Sequence, residues 1–154
     1  MDPLISVEHG ADVVDGERVC ALMRFAAIAL DLPESSEASI TFVDDAQMAE
    51  LNEEYRGKVG PTDVLSFECD NLDDGFPAGA GTYEAGDIIV ATDVAARQAR
   101  DLGHSLQEEL DTLLVHGMLH LVGYDHIEDA DAAEMQAMQD GILQRFWAES
   151  ERSA

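Results

Sequence analysis

The chain has 154 residues, 46% of them hydrophobic, and 33 acidic against 8 basic residues leave a formal net charge of −25. That length and apolar content fit one globular domain, residues 1–154, with a sizeable core. The charge opposes long-range approach to nucleic acid, and no apolar run approaches the roughly 20 residues that span a bilayer.

Met1-Asp2-Pro3-Leu4 lacks a basic stretch followed by an apolar run, so no secretory signal is expected. Cys20 and Cys69 are too few for a disulfide framework; both read as small buried hydrophobes in a reducing cytoplasm. Leu4 to Glu8 alternates apolar and polar, which predicts a short strand. Asp15 can cap a helix through about Leu30, with Val19, Leu22, Met23, Ala26 and Leu30 on one face. Ser39 to Val43 is rich in β-formers. Asp44 caps a second helix, with Gln47 placed for a capping box and Met48, Leu51 and Tyr55 facing inward.

The RGKVGP stretch at 56–61 ends that helix, and Asp63 to Cys69 alternates as a strand. Residues 70–85 read as a long loop in which Asp70, Asp73 and Asp74 are solvated acids, since their spacing fits no calcium loop. Asp87 to Ala91 is a continuous apolar run suited to a central strand. Thr92 or Asp93 can cap a helix through Leu102. Ser105 with Glu108 forms a capping box for a helix running to about Val122, and His104 reads as a turn residue before it. Asp131 with Glu134 opens a last helix whose apolar stripe is Met135, Met138, Ile142 and Phe146. The order β, α, β, α, β, β, α, α, α predicts an α+β domain, about five helices packed with a small mixed sheet.

Three of the five histidines fall in HGMLHLVGYDH, residues 116–126. His116 and His120 are four residues apart on a predicted helix, so both imidazoles project from one side. Gly123 can end the helix in a left-handed conformation, and the chain can then return His126 to the same point. Three neutral imidazoles at about 2.0–2.1 Å suit one zinc ion, with a fourth position left for water. Three unpaired imidazoles buried without such a role would be costly. The spacing is similar to the H-E-x-x-H-x-x-G-x-x-H motif of metzincin proteases. Here Gly117 replaces the glutamate that serves those proteases as general base, so peptide hydrolysis lacks its proton acceptor. A glycine inside a helix costs about 1 kcal/mol relative to alanine, so Gly117 must permit a close approach. Asp125 suits a role in orienting a ligand histidine.

Arg56 and Lys58 supply two of the eight basic residues, and Lys58 is the only lysine. A guanidinium can grip a phosphate through two hydrogen bonds and stabilise charge that grows during phosphoryl transfer; the competing reading of Arg56 is a loop arginine paired to a carboxylate. Arg97 and Arg100, one turn apart, are read as surface salt-bridge partners.

Taken together, LNEEYRGKVGPTDVLSFE at 51–68, AGDIIVAT at 85–92, GHSLQEEL at 103–110 and HGMLHLVGYDH at 116–126 resemble the YbeY family of bacterial endoribonucleases of ribosomal RNA maturation. The resemblance covers about Ser39 to Asp129. It implies one zinc ion per chain held by His116, His120 and His126, with Arg56 as the catalytic and substrate-binding basic residue that steadies the phosphate and Lys58 assisting at longer range. It also implies single-stranded RNA as substrate, including the precursor end of small-subunit rRNA, ribosome quality control, a partnership with the small ribosomal subunit or its proteins, and no membrane. The net charge is the feature that this resemblance leaves unexplained. Two other expectations compete: a ribosome-biogenesis binding factor whose metal only stabilises the fold, and a metallopeptidase-like hydrolase with an unusual base.

Overall fold

The computed structural model describes residues 1–70, 81–124 and 129–153, with side chains at all of these except 129, 152 and 153. The elements follow the expected order: β1 (Asp2–Val7), α1 (Gly16–Ala29), β2 (Ser36–Val43), α2 (Asp45–Arg56), β3 (Val64–Glu68), β4 (Tyr83–Ala91), α3 (Thr92–Leu102), α4 (Leu106–Leu121) and α5 (Asp129–Ser153). The four strands form one mixed sheet in the order β1-β2-β4-β3. β1–β2 and β2–β4 pair in parallel, placing Ile5 beside Ile40 and Ile40 beside Ile88; β3 is antiparallel to β4 and forms an edge.

Strand alternation splits the sheet into two faces. Ala38, Ile40, Phe42, Tyr83, Ala85, Ile88 and Val90 are buried in the main core with Leu22, Met23, Leu114, Met118 and Ile142 from the helices. Each fully buried side chain of the size of Leu or Ile contributes about 1.5–3 kcal/mol relative to exposure. A smaller core of Val43, Met48, Leu65, Ala91 and Val94 holds α2 to the rest. α4 is the central helix: it touches α1, α3, α5, β3 and β4. That explains the near-uniform apolarity of its second half, since almost every face meets protein.

The caps are as read at Asp15, which accepts from the amides of Glu17 and Arg18, and at Asp44, where both halves of the capping box with Gln47 form. Six expectations need correction. Asp131 does not open the last helix, which already runs from Asp129, and at Ser105 only one half of the capping box forms, the hydroxyl accepting from the Glu108 amide. The stretch 83–85 is strand, not loop, because Tyr83 and Glu84 pair with Ser36 and Glu37 and the Tyr83 and Ala85 side chains are buried. Neither Thr92 nor Asp93 caps α3: both lie within the helix, which starts from Ala91 with no side-chain cap. Thr92 is instead buried, packed where Gly10 has no side chain, and the Asp93 carboxylate engages His9 Nε2 at 2.9 Å. Tyr55 is 59% exposed, its ring resting edge-on against Phe67 at 5.1 Å between centroids. Cys69 is exposed and Cys20 half-buried, so the small-hydrophobe reading fails for the former. Asp73 and Asp74 lie outside the described residues. Asp70 is described, and its carboxylate accepts from the Glu84 amide at 2.7 Å.

Candidate metal centre and its cleft

Ser105 caps α4 by accepting from the Glu108 amide at 3.1 Å. Three turns later the helix turns His116 and His120 to one side, as their spacing requires. Their rings meet edge to face, centroids 4.7 Å apart, and the two Nε2 atoms approach to 3.1 Å. Two lone pairs facing at that distance repel unless a proton or a cation lies between them. Ligands at 2.0–2.1 Å in tetrahedral coordination stand about 3.3 Å apart, so the pair matches two corners of a zinc site.

The tautomer is fixed from α5. The His116 Nδ1 contacts Gln139 Oε1 at 2.8 Å; a carbonyl oxygen accepts, so the proton sits on Nδ1 and the lone pair on Nε2 points toward His120. Gln139 is 6% exposed. The signal for it in the sequence was a glutamine inside the Met135–Ile142 apolar stripe, and its role was missed. His120 lies in the last turn of α4, where the helix dipole favours a cation.

The helix ends as the glycine predicted. Gly123 has φ +98°, its amide donates to the His120 carbonyl at 3.1 Å, and the Tyr124 amide reaches back to the Leu119 carbonyl at 3.0 Å. This paired arrangement satisfies the terminal carbonyls and turns the chain sharply. His126 and Asp125, two and one residues beyond, lie outside the described residues. Among the described residues no group of three His, Cys, Asp or Glu side chains is placed to hold a metal.

Gly117 is where β3 and β4 press against α4. A Cβ there would lie 2.9 Å from Ile88 Cγ2 and 3.1 Å from Ser66 Oγ, and Ser66 Oγ donates to the Gly117 carbonyl at 3.2 Å. Any side chain at this position would force the Ile88 or Ser66 side chain to shift.

The two imidazoles open onto a cleft of about 630 Å³ along the β3 edge, also lined by Arg56, Asp63, Ser66 and Glu68. Arg56 is the last residue of α2, followed by Gly57 in the left-handed conformation at φ 65°. Buried Asn52 pins the loop beyond, its Nδ2 donating to the Gly60 carbonyl at 2.8 Å; sequence reading passed over it. Lys58 is exposed and lies outside the set of residues that line the cleft. Among the described residues neither Arg56 nor Lys58 forms an ion pair, whereas Arg97 pairs with Asp45 at 3.1 Å as a surface contact. His104 is a turn residue, as expected, with Nε2 2.6 Å from Glu109 Oε2. The arrangement sets two imidazoles and a guanidinium on one open cleft, a combination suited to a phosphate ester.

The model of the family "Endoribonuclease YbeY" matches residues 15–147. Endoribonuclease YbeY of Micrococcus luteus is 43% identical over 136 residues, covering 88% of this chain and 86% of that one. Endoribonuclease YbeY of Moorella thermoacetica is 46% identical over 140 residues, covering 86% and 90%. A solution structure of a Thermotoga maritima protein superimposes with a TM-score of 0.65 at 26% identity, covering 98% of this chain and 93% of that one. Among the described residues no helix is long and apolar enough to cross a membrane.

Proposed function

The chain belongs to the endoribonuclease YbeY family, and from that membership we propose that it is a zinc-dependent endoribonuclease. Its substrate on this reading is single-stranded RNA, above all the precursor end of small-subunit rRNA, cut in the cytoplasm during ribosome maturation and quality control. Small-subunit proteins are the expected partners. The observation that carries the proposal is the approach of the His116 and His120 Nε2 atoms to 3.1 Å in a cleft that Arg56 also lines.

His116 and His120 would hold the ion together with His126. Bound there, zinc supplies Lewis acidity, polarising a phosphoryl oxygen and lowering the pKa of a water. The protein's own groups do the rest. Gln139 accepts from His116 Nδ1 and so favours the tautomer whose Nε2 lone pair would be free to hold the ion. Arg56, unpaired by any carboxylate among the described residues, is available to grip the scissile phosphate and to stabilise charge that grows on it. Asn52 fixes the loop after Arg56 and so limits where the guanidinium can reach. Gly117 weakens the peptidase alternative, because the position a protease uses for its base carries no side chain and is crowded by Ile88 and Ser66.

The test is cleavage of a defined single-stranded RNA by zinc-loaded protein. Chelation should abolish turnover and zinc restore it, and Arg56→Ala should lower kcat roughly 10²–10³-fold. Cleavage that persists in His120→Ala would assign the activity to something other than this site. Normal rRNA processing in cells carrying Arg56→Ala, alongside a melting temperature lowered by chelation, would favour the non-catalytic binding factor.

A further inference from the structure

A chain of hydrogen bonds runs from the cleft into the protein and ends at the turn between α3 and α4. Its first member is Asp63, which lines the cleft. Asp63 Oδ1 accepts from the Val64 amide at 2.7 Å, and its backbone carbonyl accepts from Ala91 at 2.9 Å. Its Oδ2 faces the side-chain amide of Gln98 on α3. With the nitrogen turned toward the carboxylates, that amide donates to Asp63 Oδ2 at 3.3 Å and to Glu109 Oε1 at 2.9 Å; turned the other way, its oxygen would confront two carboxylate oxygens. Glu109 is 4% exposed, and its second oxygen is 2.6 Å from His104 Nε2.

The donor count fixes the residue types. Asp63 uses both oxygens as acceptors, Gln98 uses both amide hydrogens, and Glu109 again uses both oxygens. An amide at position 63 would present a donor to a donor, and one at position 109 would be matched only by the other tautomer of His104. Such a chain is costly when partly satisfied and rigid when complete. Glu109 also lies seven residues before His116 on α4, about two turns away along a stiff rod. One helix therefore sets the imidazoles and, through Gln98, the opposite end of the same chain at Asp63.

We propose that Glu109 and Gln98 are positioning residues for the cleavage reaction. Anchored by His104, they hold the Asp63 carboxylate, and with it the β3 wall of the cleft, in register with the imidazole pair. The proposal rests on the ribonuclease reading above. It gives Asp63 a cleft-facing role that depends on residues outside the cleft.

The experiment uses the zinc-loaded full chain with single-stranded RNA, together with hydrogen exchange at the Val64 amide. Gln98→Met keeps the side-chain length and removes both donors. It should lower kcat roughly tenfold to a hundredfold with KM changed less than about twofold, since a misplaced wall costs orientation more than binding. Zinc content should stay at the wild-type level, and Val64 exchange should accelerate. Asp63→Asn should act in the same direction. His104→Gln, whose amide can still donate to Glu109, should retain most activity, whereas His104→Ala should not. Wild-type kcat in Gln98→Met overturns the proposal, as does wild-type kcat in Asp63→Asn should the first variant fail to fold. If the wild-type chain cleaves no RNA, the ribonuclease reading falls by itself. Unchanged Val64 exchange in Gln98→Met would then sink the positioning chain separately.

Discussion

At position 117 two opposing terms act on a single methyl group. Helix propensity favours alanine over glycine by about 1 kcal/mol, but the Cβ would press on Ile88 Cγ2 at 2.9 Å and Ser66 Oγ at 3.1 Å. Overpacking of a filled interior typically costs about 1–3 kcal/mol. Gly117→Ala should therefore lower the urea midpoint and, by pushing β3 away, reduce RNA turnover; a variant stabilised by the propensity gain would show that the sheet yields freely. At this scale the sequence was most informative where the physics is local. The four-residue spacing of His116 and His120 and the turn at Gly123 depend only on helix geometry. Gln139 and Asn52 escaped notice because each gains its role from a partner that spacing does not reveal: His116 is 23 residues away, and the Gly60 carbonyl meets Asn52 only after the chain reverses. Tyr55 was misjudged because its heptad-like spacing places it on the right face of α2, yet that last turn overhangs Phe67 instead of the core.

At the scale of the element, α4 is held by charge as well as by apolar contact. Asp111, 1% exposed, accepts from Arg18 Nε and Nη2 of α1, the latter at 2.6 Å, from Gln107 at 2.9 Å, and from Trp147 Nε1 of α5 at 2.8 Å. The Asp111 hydrogen bond raises the Arg18 pKa against the opposing effect of burial, so the guanidinium stays charged. Removing one partner of such a buried pair leaves an uncompensated charge and costs about 3–5 kcal/mol. Arg18→Met should thus lower the stability measured by urea unfolding by that amount while leaving zinc stoichiometry intact; a loss under about 1 kcal/mol would mean that Gln107 and Trp147 suffice. Element order was legible because hydrophobic periodicity and caps are properties of short segments. Strand order was not: the parallel pairing of β1, β2 and β4 and the edge position of β3 follow from packing between distant segments. The buried acids of α4, Glu109 and Asp111, were likewise hidden, since an acid near a helix start reads equally well as a solvated, dipole-favoured residue.

Across the whole molecule the net charge of −25 works against an RNA substrate. The crowding is visible locally: the Glu84 carboxyl titrates above its ordinary range through desolvation, then through Glu37, Asp70 and Asp87. Salt should relieve both self-repulsion and repulsion of substrate, because the screening length falls to about 10 Å at 0.1 M. The melting temperature and kcat/KM for a short single-stranded RNA should therefore rise between about 20 and 200 mM KCl, where a protein whose affinity rests on many phosphate contacts loses affinity steeply. A steep fall in kcat/KM would show that a local basic surface outweighs the total charge. The central claim remains the cation between imidazoles, and zinc K-edge X-ray absorption on the metal-loaded chain addresses it most directly. The expected spectrum shows nitrogen neighbours at about 2.0–2.1 Å with imidazole scattering beyond them, diminished in His116→Ala and in His120→Ala. A sulfur shell near 2.3 Å, or a spectrum unchanged when both histidines are replaced, would contradict it.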